Sequence, residues 1–108
     1  MNEKRRLERK DVDQFIRVND AIHGVELGRI VNLSEDGFML ISGTDLKESC
    51  LYQLVLILNE EVDGVSEIPI GAECLWINEM DFGDQHWVGF HIMDVSDENL
   101  ELIKLLAH

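Results

Sequence analysis

Between Val12 and Met93 the apolar residues come in short runs, each stopped by turn-forming residues, and that texture restricts the chain to short strands. Residues 15–18 end in Asn19-Asp20. Residues 25–33 follow His23-Gly24 and pair with the first run as a hairpin. Ser34-Glu35-Asp36-Gly37 is a tight turn before residues 38–42. Residues 51–58 are almost all apolar and are expected to be buried on both faces. A loop is expected at 60–64, then strands at 68–77 and 86–93 separated by Asp81-Phe82-Gly83-Asp84. Six antiparallel strands at this spacing predict a closed barrel or a small sandwich. At 108 residues there is chain enough for one domain with one modest core.

The C-terminus has a different period. Ser96 suits a helix N-cap, and Asp97 and Glu98 suit the positive end of the helix dipole. Leu100, Ile103, Leu106 and Ala107 then fall on one face, widened by Leu102. A helix of about 11 residues is expected, its apolar face packed on the strands.

Charge divides the chain sharply. Residues 1–10 carry five cations, Lys4, Arg5, Arg6, Arg9 and Lys10, against Glu3 and Glu8, a net of +3. The other 98 residues carry four basic and 20 acidic side chains, a net of −16. Residues 1–11 are therefore expected to form a flexible basic arm, and 12–108 the folded body. A body so acidic repels nucleic-acid polymers and anionic lipid, because both need many phosphate contacts. No apolar run approaches the ~18 residues of a membrane span, and no apolar segment follows the basic start. The expectation is a cytoplasmic protein without membrane association.

Conventional chemistry has little support. Cys50 and Cys74 lie in apolar surroundings and read as buried structural thiols. His86 and His91 flank Trp87 and Phe90, a spacing that suits solvated or hydrogen-bonded imidazoles rather than metal ligands. No phosphate-cradling Gly-rich loop is present, and Ser34 and Ser42 have no His and carboxylate close in sequence. The chain is expected to be neither an enzyme nor a metalloprotein.

Two spaced motifs carry the functional signal. Arg5-Arg6-Leu7-Glu8-Arg9 contains Arg-x-x-x-Arg, and Asn32-Leu33-Ser34-Glu35-Asp36-Gly37 contains Asn-x-Ser-x-x-Gly. With Cys74-Leu75-Trp76-Ile77, Val88-Gly89-Phe90 and the terminal helix, the chain resembles the PilZ domain family across residues 4–107. The resemblance implies a mainly β fold, a six-stranded antiparallel barrel with a C-terminal helix. It also implies a receptor for the bacterial second messenger cyclic di-GMP, with no further cofactor, acting through an effector protein on motility, adhesion or exopolysaccharide output. The ligand contacts carried over are Arg5 and Arg9, with Arg6 beside them, and Asn32, Ser34 and Gly37. Within the same family an adaptor that binds no nucleotide, as in type IV pilus assembly, is the alternative.

Elementary chemistry fits those roles. Arginine grips phosphate through two parallel N–H bonds, and the same fork matches guanine O6 and N7. Asn32 offers donors and an acceptor to a guanine edge, and Ser34 a hydroxyl. Gly37 supplies either a positive φ or a close backbone approach. Trp76, between Leu75 and Ile77, is expected in the core; Trp87 belongs in the core or at a barrel mouth. Arg29 is expected to pair with the acidic surface.

Overall fold

The computed structural model describes residues 14–80 and 83–107. Six strands form in the expected places: β1 (Ile16–Asp20), β2 (Glu26–Leu33), β3 (Gly37–Ser42), β4 (Leu51–Val62), β5 (Val65–Glu79) and β6 (His86–Asp94). All pair antiparallel, and the order β1-β2-β3-β6-β5-β4 closes on itself because β1 also pairs with β4. The result is a barrel, not a sandwich.

Alternation fills the barrel. Val18, Leu40, Leu54, Leu56, Ile68, Cys74 and Val88 are fully or almost fully buried. Each large aliphatic among them contributes about 1.5–3 kcal/mol by leaving water. Phe38 and Phe90 stack at 5.1 Å, and Tyr52 meets Phe90 edge-on at 6.0 Å.

Residues 51–58 do not bury both faces. Leu54, Leu56 and Leu58 point inward, whereas Leu51 is 70% exposed and Val55 and Ile57 are half-buried. A small barrel has one inside, so the alternate residues face out however apolar they are. The loop expected at 60–64 is also shorter. Strand pairing runs on to Val62 opposite Val65, leaving Asp63 (φ 53°) and Gly64 (φ 80°) as a two-residue turn. Two consecutive positive φ values match the right-handed twist of the flanking strands, which is why Asp-Gly serves here.

The helix α1 (Asp97–Leu106) is capped as expected, the Ser96 hydroxyl accepting from the Asn99 N–H at 3.1 Å. Leu102, Ile103 and Leu106 join the barrel core. Leu100 and Ala107 are only half-buried, so the inward face centres on Leu102, Ile103 and Leu106, within the expected stripe.

Candidate functional site

Two register breaks build an outward-facing platform. In β2, Ile30 pairs with Leu40 but Asn32 pairs with Met39, so Val31 is an extra residue. Without that bulge Asn32 would fall in line with the inward positions. With it, Leu33 faces Phe38 inside and Asn32 turns out. In β5, Cys74 pairs with Phe90 but Trp76 pairs with Gly89, so Leu75 is the extra residue. Cys74 stays in the core, and Trp76 moves to the exterior with 36% of its surface exposed.

The two breaks put Asn32, Met39, Gly89 and Trp76 in one row across β2, β3, β6 and β5. Gly89 makes the row continuous: the Trp76 indole lies where a Cβ on Gly89 would be. A hollow of about 260 Å³ runs along it, lined by Asn32, Ser34, Gly37, Met39, Trp76 and Gly89 among others. The amide of Ile77, just past the bulge, is taken by a Glu48 carboxylate oxygen at 2.8 Å.

The turn at the end of this row is held from within. Ser34 N–H donates to the Gly37 carbonyl at 2.8 Å. The Ser34 hydroxyl accepts from the Asp36 and Gly37 amides at 3.3 and 3.2 Å, and lies 3.3 Å from the Gly37 carbonyl as a donor. The Asp36 carbonyl accepts from the Ile92 N–H at 2.8 Å, tying the turn to β6. Gly37 has no left-handed φ; its role is close approach, since a Cβ there would strike the Phe90 carbonyl. Lys104 of α1 lies 3.7 Å from Glu35 and 3.4 Å from Glu101, joining the helix to the same turn.

The sequence-derived candidates divide accordingly. Asn32, Ser34 and Gly37 share one hollow. Arg5, Arg6 and Arg9 lie outside the described residues. The chain enters β1, the neighbour of the strand that carries Asn32, just after Gln14. There the Gln14 side-chain oxygen accepts from the Glu60 N–H at 3.0 Å.

Four expectations need correction. Trp76 is not a core residue; the Leu75 bulge reverses its side. Trp87 is half-buried on the outer surface, opposite Ile41. Arg29 has no carboxylate partner among the described residues and instead stands opposite Arg17, which itself lies 3.9 Å from Glu26. Cys74 is buried as expected, and burial pushes its thiol pKa up, but Cys50 is only half-buried.

A shallow polar and aromatic platform thus lies on the outside of a small closed barrel. The profile of the PilZ domain family matches residues 3–107, and the chain belongs to that family. Its members generally serve as cyclic di-GMP receptors or adaptors rather than as enzymes. Among solved structures the fold is similar to the Bacillus subtilis inhibitor of motility MotI/DgrA, with TM-score 0.65 and 12% identity over 83% of this chain and 43% of that one. This chain thus spans less than half the length of that protein. No curated protein sequence matches. Among the described residues no helix is long and apolar enough to cross a membrane, and no group of three His, Cys, Asp or Glu side chains is placed to hold a metal.

Proposed function

We propose that this chain is a cytoplasmic receptor for cyclic di-GMP that signals through an effector protein. The observation that carries the reading is the single row from Asn32 to Trp76, ending at the Ser34–Gly37 turn. It offers one amide edge, one indole face and a groove between them. A guanine base stacks on Trp76 or presents its edge to Asn32, and base–aromatic stacking is worth about 1–3 kcal/mol. The Ser34 hydroxyl and the amides it holds set the shape of the turn against which the ligand rests.

Arg5 and Arg9 supply the charge. The body is strongly acidic, so a ligand with two phosphates needs cations from elsewhere. Arg9 is five residues before Gln14, a reach of up to ~17 Å. From β1 to β5 across the row is four strand spacings, roughly 19 Å, so Arg9 reaches the Asn32 side of the row, and Arg5, nine residues before Gln14, has chain enough to cross all of it. Arg6 lies beside both as a further cation. In this reading the ligand fixes residues 1–11 across the barrel and changes the surface shown to the effector.

Calorimetry with cyclic di-GMP and the full chain tests it. Arg9→Ala removes charge-assisted hydrogen bonds worth about 1.5–3 kcal/mol each, so affinity should fall roughly 10- to 150-fold. The unfolding midpoint without ligand should stay put. No binding by the wild-type chain at high protein concentration would leave the nucleotide-free adaptor as the better reading.

A further inference from the structure

The two cysteines face each other across β4 and β5. Leu51 pairs with Glu73 and Tyr52 with Ala72, and the same register places Cys50 opposite Cys74. Backbone hydrogen bonds pair them: the Cys74 N–H donates to the Cys50 carbonyl at 2.9 Å, and the Ser49 N–H to the Cys74 carbonyl at 2.7 Å. Residues 49 and 50 therefore oppose one residue of β5, with Ser49 in a left-handed conformation at φ 67°. Cys50 shares the inward parity of Leu54 and Leu56, as Cys74 shares that of Ala72. Hydrogen-bonded opposed residues have Cα atoms about 5.5 Å apart, inside the roughly 4.4–6.8 Å that disulfides span, and Cβ atoms about 4.5–5.5 Å apart, against the roughly 3.5–4.5 Å of a bridge. Closing the Cβ separation by about 1 Å joins the two sulfurs.

Access differs between them. Cys74 is fully buried, whereas Cys50 is half-buried at the barrel rim. Burial, with the nearby Glu48, Cys50 and Glu73, raises the Cys74 thiol pKa, so Cys74 stays protonated and Cys50 is the sulfur an oxidant meets first. We propose that Cys50 and Cys74 are a redox modification site, closed by peroxide to a reversible intramolecular disulfide.

The Cys50 thiolate attacks one peroxide oxygen. The O–O bond breaks, an S–O bond forms, and hydroxide leaves to become water. The Cys74 sulfur then attacks the Cys50 sulfur as it gives up its proton. The S–S bond forms, the S–O bond breaks, and the departing hydroxide takes that proton. Two thiols lose two electrons and two hydrogens, and one hydrogen peroxide becomes two waters. A dithiol reverses the step. The bridge sits immediately before the Leu75 bulge, and Glu48 already holds Ile77 just beyond it. Oxidation thus clamps the 43–50 loop to β5 on both sides of the bulge that presents Trp76.

The test is independent of any nucleotide. The reduced full-length chain is treated with hydrogen peroxide, alkylated under denaturing conditions and weighed. The expected product has lost the mass of two hydrogens, takes up no alkylating agent, yields one peptide pair linked through Cys50 and Cys74, and returns to two thiols with dithiothreitol. Its thermal midpoint should rise by roughly 5–15 °C, because the bridge closes a loop of about 25 residues in the unfolded chain. Cys50→Ser and Cys74→Ala should each abolish both changes. A wild-type chain that gains oxygen at Cys50 while Cys74 remains alkylatable would overturn the proposal. So would covalent dimers, or two intact thiols after treatment that oxidises free cysteine.

Discussion

The β1–β4 wall and the β2-β3-β6-β5 arc of the same barrel follow different rules. Along β1 and β4 the register runs unbroken from Ile16↔Leu58 to Asp20↔Leu54. Burial alternates with it: Ile16, Val18, Leu54, Leu56 and Leu58 point in, while Arg17 and Asn19 do not. In the other arc, single extra residues at Val31 and Leu75 shift the parity partway along a strand. Regular pairing makes a wall that only holds the core. Broken pairing puts an amide and an indole on the outside, where a ligand can reach them.

The sharpest way to separate the two regions is to damage the wall. Leu54 is fully buried, and Leu54→Ala should cost about 2–5 kcal/mol of stability by lost transfer energy plus a cavity. Urea denaturation measures this. Cyclic di-GMP affinity, measured where the variant is still folded, should match wild type. A matching loss of affinity would mean that wall and platform are not separable.

Gly37→Val tests the seam where the two functions meet. The added Cβ meets the Phe90 carbonyl, and backbone opposed to backbone cannot yield as a flexible side chain would. A stability loss of about 1–3 kcal/mol is expected from overpacking, together with weaker nucleotide binding because the Ser34–Gly37 turn is displaced. Here both readouts should move. A stability change without a binding change would detach the turn from the site.

Within the platform, the contrast is between shape and aromaticity. Trp76→Phe keeps a π-face over Gly89, whereas Trp76→Leu removes it. The leucine variant should bind cyclic di-GMP roughly 5- to 150-fold more weakly, and the phenylalanine variant much less so. Equal affinity in both would assign Trp76 a purely packing role.

The same contrast explains what the amino-acid sequence discloses. Strand positions were legible because turn residues and apolar runs alternate, and the helix because Ser96 and its acidic first turn mark its start. The side on which a residue lies was legible only where the register holds. Trp76, flanked by Leu75 and Ile77, reads as core by composition; one unpaired residue reverses it, and nothing local in the sequence marks that residue as a bulge. Asn32 was singled out through its motif, since parity alone would have left its direction undecided. Apolar density misled at 51–58 because an outward Val55 or Ile57 looks like an inward one. The Asp63-Gly64 turn had a readable signal in its Asp-Gly pair, hidden by the acidic residues before it. At Gly37 the two structural reasons for a glycine, torsion and proximity, separate only in three dimensions.

The smallest expected effect lies at the end of the regular wall. The Asp20 carboxylate accepts from the Ile22 and His23 amides at 2.8 and 3.1 Å and contacts the His23 ring nitrogen at 3.1 Å. These groups hold its pKa below the ordinary carboxylate value, the His23 amide first among them and burial opposing. A depressed folded-state pKa means the native form binds its proton less readily than the unfolded chain. The resulting stability is present above the unfolded pKa near 4 and is lost as pH falls through the lower folded value. Asp20→Asn should therefore cost about 0.5–1.5 kcal/mol at pH 6. The gap between variant and wild type should shrink as pH drops from about 4 toward 2. Denaturation midpoints across that range measure it. Cyclic di-GMP binding at neutral pH should be untouched, because this turn joins β1 to β2 and lines no part of the hollow beside Trp76. A gap that stays constant down to pH 2 would show that the turn's hydrogen bonds do not depend on the charge of Asp20.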